Sequence, residues 1–160
     1  MRIVSPGKFV FVAQWLAAFV LPVWFFIGRG LVGAELGWMA VLGVAVFGLP
    51  LILILLVPPL ITLFDGGVRR ARAERFGFSI SSIVLWSAIV LAALVVPDSG
   101  DSGHLESALT RWTGGAISYA ASEGIFAALS AVVVLAYAAA LVLGIVGAIR
   151  SRSLTEARPA

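Results

Sequence analysis

From Trp38 to Phe64 the chain runs for 27 residues without a charged side chain. Few structures accept such a stretch. A helix of about 20 apolar residues crosses the ~30 Å hydrocarbon core of a bilayer. Inside hydrocarbon a continuous run must satisfy its own backbone N–H and C=O groups, which only a helix does. Three further runs behave alike: Phe9 to Gly28, Phe76 to Pro97 and Gly124 to Ile149. None shows the alternate-residue polarity of a barrel strand. The sequence therefore predicts an all-α integral membrane protein, with four transmembrane helices in one bundle over residues 1–160. The expected spans are 9–28, 38–64, 76–97 and 124–149.

Composition closes the alternatives. The chain is 61% hydrophobic and only 12% charged, against about a quarter charged in soluble domains. That excludes a soluble enzyme domain and a disordered chain. Zero cysteines remove disulfide scaffolds, thiolate metal sites and cysteine nucleophiles together. The first run is 20 residues long, longer than the ~7–15 of a signal-peptide core, and no A-x-A-like site follows it. It is read as a retained span.

Charge placement predicts orientation. Arg2, Lys8, Arg69, Arg70, Arg72, Arg75, Arg150, Arg152 and Arg158 fall on one side of four alternating spans, and only Arg29 and Arg111 on the other. Because cationic loops stay inside, both termini are expected in the cytoplasm. Trp24, Trp38 and Trp112 would then sit near the outer interface, as amphipathic rings prefer. All but one of the cationic residues are arginine, the bias of a GC-rich coding sequence. The expected setting is a bacterial inner membrane. A net charge of +3 spread in this way calls for no nucleic acid.

The loops are short. Asp65-Gly66-Gly67 reads as a helix stop, because glycine accepts the left-handed conformation. Arg69, Arg70, Arg72 and Arg75 form a candidate contact for anionic lipid headgroups, at roughly 1 kcal/mol per basic residue near the surface. The loop 98–115 begins with a repeated DSG that reads as a flexible linker. Its second half predicts a short amphipathic helix in which Leu105, Leu109 and Trp112 share a membrane-facing side. Asp98, Asp101, His104 and Glu106 superficially resemble metal ligands, but nothing in a glycine-broken linker pre-organises them. No cofactor is expected.

Two intramembrane patterns remain. Gln14, Ser79, Ser82 and Pro50 form a candidate polar cluster in the cytoplasmic half, either a hydrogen-bonded clamp between spans or a substrate pathway. Gly124, Ala128, Ala136, Ala140, Gly144 and Ala148 recur at steps of four, with Val132 interrupting. That spacing is a candidate helix-packing face, because small residues let another helix approach. Glu123 is expected in the headgroup zone. The chain resembles the small multidrug transporters in span count alone, with Gln14 where those carry a membrane-embedded glutamate.

No nucleophile, base and orienting group converge, as a catalytic site requires. The expectation is a non-enzymatic accessory or scaffold protein. It would act by helix packing with itself or with a membrane-protein partner in the lipid bilayer. The alternative is a small transporter or channel subunit with a pathway near Gln14, Ser79, Ser82 and Pro50.

Overall fold

The computed structural model describes residues 6–101 and 103–156, with side chains through Ser153. Arg2 and Arg158, counted above for orientation, lie outside the described residues. The first span is α1 (Pro6–Phe26), followed by a 3-10 turn at Gly28–Val32. The second is composite: α2 (Trp38–Leu42), a π-helical turn at Gly43–Phe47, and α3 (Gly48–Thr62). A short α4 (Gly66–Ala71) precedes the third span, α5 (Phe76–Val95). Then come β1 (Asp98–Gly100), β2 (Gly103–Leu105), α6 (Ala108–Trp112) and the long α7 (Tyr119–Glu156). The segments 6–26, 38–62, 76–95 and 119–153 are long and apolar enough to cross a membrane.

Prolines explain the irregular second span. In a regular helix the Pro50 ring would clash with the carbonyl four residues earlier, that of Val46, and the wider π turn directly before it relieves this. Pro58 cannot donate to the Ile54 carbonyl, and Tyr137 Oη of α7 donates to that oxygen instead at 2.9 Å. A backbone defect in one span is thus satisfied by a side chain of another.

The spans form a ring in which α5 contacts α1 and α7, and α3 contacts the same two helices. α5 is the most enclosed, with half of its most apolar window buried, against 17% for the second span. Its buried Phe78, Ser82, Leu85, Ile89 and Ala92 recur at helical spacing. Ala18, Leu21, Leu55, Leu85, Ile89 and Ala136 make the principal core. α7 has 38 residues, so it is about 57 Å long at 1.5 Å per residue. That is nearly twice the ~30 Å hydrocarbon thickness, and its first turns run among the loops.

The segments 98–100 and 103–105 correct the sequence reading. They are an antiparallel hairpin with Asp98 opposite Leu105 and Ser99 opposite His104, not a flexible linker. Leu105 belongs to β2, so the predicted amphipathic helix starts later, at Ala108, capped by Ser107 Oγ accepting from Thr110 N. Ala108 and Thr110 are buried in it, while Trp112 stays exposed and donates to the Val32 carbonyl at 2.8 Å.

The expected glycine stop is also different. Asp65 is extended, and its carboxylate accepts from Gly67 N and Val68 N, so it starts α4 rather than ending α3 in a left-handed glycine. The left-handed residue is Arg72, with φ 48°.

Candidate functional site

At one end of the bundle the segment 65–75 folds back against the spans; this is called the arginine end. Arg75 Nε donates to Asp65 Oδ2 at 2.7 Å, and Gly66 N donates to Ser151 Oγ of α7 at 2.8 Å. Glu74 N donates to the Gly7 carbonyl of α1 at 2.9 Å. This approach requires glycine: a Cβ at position 7 would sit 2.2 Å from the Glu74 carbonyl oxygen.

Docking the backbone here carries the Glu74 side chain into the bundle, leaving it 6% exposed. Gln14 Nε2 donates to Glu74 Oε1 at 2.9 Å, and Thr62 Oγ1 lies 2.9 Å from the same oxygen. Thr62 Oγ1 is also 2.9 Å from the Pro59 carbonyl. Glu74 Oε2 and Gln14 Oε1 are buried without a hydrogen-bond partner. Burial pushes the Glu74 carboxyl above the usual range; the Gln14 and Thr62 bonds oppose this and Asp65 adds to it. Burial acts the same way on Asp65, but the Arg75 bond and the α4 N–H groups outweigh it and hold that carboxyl low. Two neighbouring carboxyls are therefore driven in opposite directions.

Above this site the four spans line an apolar cavity of about 410 Å³. Phe25, Leu51, Leu55, Ile89, Phe126 and Tyr137 line it, with at least one residue from each span. A much smaller void of about 10 Å³ lies beside Gln14 and Ser82. Leu55 and Leu85 border both spaces.

The opposite end is held by a buried ion pair. Arg29, fully buried, donates through Nη2 to Asp98 Oδ2 and through Nη1 to the Val96 carbonyl at 3.1 Å. Asp98 also accepts from Gly37 N, Met39 N and Ser99 N at 2.8–2.9 Å. One pair thereby serves two helix ends. The cation sits at the C-terminus of α5 and the anion at the N-terminus of α2, as the helix dipoles favour. Burial would raise the Asp98 carboxyl, but the three N–H groups and Arg29 hold it below the usual range. Burial lowers the Arg29 guanidinium against the pull of Asp98. Ser122 Oγ closes the same end by donating to the Val95 carbonyl at 2.6 Å.

The sequence-predicted residues divide. Gln14 and Ser82 share the small void. Ser79 is fully buried, but its hydroxyl donates to the Arg75 carbonyl of its own helix. Pro50 does not join them: it is exposed and twelve residues, about 18 Å of helix, from Thr62. Of the basic loop, Arg69, Arg70 and Arg72 are exposed, whereas Arg75 is engaged by Asp65. In the small-residue series Ala136, Ala140 and Gly144 are buried, while Gly124, Ala128 and Glu123 are exposed. Steps of four overrun a 3.6-residue turn by about 40° each, so one stripe cannot keep facing one neighbour.

Sequence reasoning missed Glu74 and Thr62, and gave Asp65, Arg29 and Asp98 other roles: a helix stop, a mark of orientation and a linker carboxylate. Glu74 and Asp65 are the two acidic residues of an otherwise basic loop, which was the available signal. Trp24, Trp38 and Trp112 all bond at the Asp98 end. Comparison with protein-family models, curated proteins and solved structures finds no match.

Proposed function

We propose that the protein is a non-enzymatic, multi-pass component of a bacterial inner membrane that holds the apolar chain of a lipid-like molecule in the cavity lined by its four spans. The observation that carries this reading is the 410 Å³ cavity. Its volume falls in the range of small-molecule sites, and protein interiors rarely leave such a space unfilled. The cavity lining is almost wholly apolar, which suits a flexible hydrocarbon chain. In this reading the arginine end faces the cytoplasm, by the same cation count, and Arg69, Arg70 and Arg72 meet anionic headgroups.

The test is native mass spectrometry from mild detergent with crosslinking. Wild type should retain a lipid-like molecule that Val133→Phe, which fills the cavity, excludes without unfolding the protein. A stoichiometric partner or homo-oligomer with no retained lipid would return the scaffold role. A small transporter is the second reading. It is favoured by the small void beside Gln14 and Ser82, which shares Leu55 and Leu85 with the apolar cavity, and substrate flux in liposomes would establish it.

A further inference from the structure

The cavity reading makes no use of Glu74, a buried acid. Among the described residues, no cation pairs with it. Arg75, the adjacent residue, is turned to Asp65. Lys8 of α1 and Arg150 and Arg152 of α7 are exposed. The other charged group near it is Asp65, of like sign. A buried carboxylate in that position is strongly disfavoured.

The hydrogen bonding has room for a proton on the carboxyl. Thr62 Oγ1 carries one hydrogen but lies 2.9 Å from two oxygens, the Pro59 carbonyl and Glu74 Oε1. A threonine hydroxyl donates once and accepts through its lone pairs. If its hydrogen goes to Pro59, the contact with Glu74 requires a hydrogen on the carboxyl. A metal cation fits less well. Hard cations such as calcium and magnesium take about six or more oxygen ligands, whereas the unpartnered buried oxygens here are Glu74 Oε2 and Gln14 Oε1.

We propose that Glu74 is a proton-binding site: seated between Gln14 and Thr62, its carboxyl holds a proton taken from water at the arginine end, and losing that proton releases the 66–75 segment from α1 and α3. Protonation makes the carboxyl neutral and able to donate, which suits a dry site. Deprotonation leaves an unpaired anion whose simplest relief is to withdraw into water with its backbone. The elevated carboxyl of the docked state sets the sign. Docking is fully supported below the ordinary glutamate range, ~4.3, and is lost as pH rises through the higher folded value. The site stands whatever occupies the apolar cavity.

The absence of cysteine allows a clean test in liposomes. Val68, a 4% exposed residue of the segment itself, is replaced by cysteine, and its alkylation rate is divided by that of the exposed control Ser153→Cys. The ratio should rise at least tenfold with pH, and stay flat in a Glu74→Gln background, where the side chain cannot ionise. Infrared difference spectra should show a protonated-carboxyl band vanishing with the same midpoint and absent from Glu74→Gln. Gln14→Leu, which removes a bond favouring the anion, should move that midpoint to higher pH. A flat ratio in the parent, or an equal rise in Glu74→Gln, overturns the proposal. So does a ratio that responds to sodium replacing choline at fixed pH, which would assign a cation instead. Should Glu74→Gln fail to fold, a midpoint that does not move in Gln14→Leu is equally fatal.

Discussion

Arg29 and Asp98 form one ion pair, yet truncating them should not cost the same. Asp98→Ala strands a buried guanidinium whose remaining acceptor is the Val96 carbonyl, and its Nε is already without a partner. Breaking a buried pair from one side costs about 3–5 kcal/mol, and losing the α2 cap adds about 1 kcal/mol. The sum is about 4–6 kcal/mol as an upper bound, since neighbouring effects are not additive. Arg29→Met leaves an anion still bonded by Gly37, Met39 and Ser99 N–H. Its cost is the lost charged hydrogen bonds, about 1.5–3 kcal/mol, partly offset by no longer burying the guanidinium. At about 2–4 °C per kcal/mol on the soluble-domain scale for this size, Asp98→Ala should lower the melting temperature in detergent by about 8–24 °C. Arg29→Met should lower it clearly less. Thermal unfolding followed by size-exclusion chromatography in a mild maltoside detergent makes the comparison. An Arg29→Met protein as unstable as Asp98→Ala would refute the claim that the backbone N–H groups carry the anion.

Three further outcomes follow from local geometry. Gly144→Leu should cost about 1–3 kcal/mol by overpacking, since even a Cβ there would lie 3.3 Å from Ile61; wild-type thermal stability would contradict the packing. Tyr137→Phe removes the donor to the Ile54 carbonyl and should cost about 0.6–1.7 kcal/mol, the span of interhelical hydrogen bonds in membranes. Loosening α3 from α7 should also speed lipid exchange, readable by a fluorescent acyl probe. Acid should weaken the end held by Asp98. That carboxyl is lowered in the fold, so its contribution is complete above the ordinary aspartate value of about 3.9 and fades as pH falls through the lower folded value. An Asp98→Asn protein should show a shallower acid limb in a pH–stability titration, and an unchanged limb would exclude Asp98 as its source.

The helical bundle was legible in the sequence because lipid imposes its demand on each residue locally. A run without charges must become a helix wherever it is, and no knowledge of its neighbours is needed. The small-residue spacing of α7 was legible for the same reason, but not which half turns inward. Steps of four rotate round the helix, and only the positions of α3 and α5 decide which of those residues are covered. Gln14 was visible as a polar residue seeking a partner, whereas its partner was not. Glu74 lies 60 residues away in a loop that reads as water-exposed.

Sequence alone therefore determined the number of spans, their approximate limits and the side on which basic residues gather. Each follows from a transfer energy summed along the chain. Tertiary structure alone decided that a hairpin aspartate and a loop glutamate are buried. It also paired one with an arginine 69 residues distant and left the other without a cation among the described residues. The charge state of a buried group depends on what surrounds it in space, and those surroundings come from four helices that the linear order does not place together.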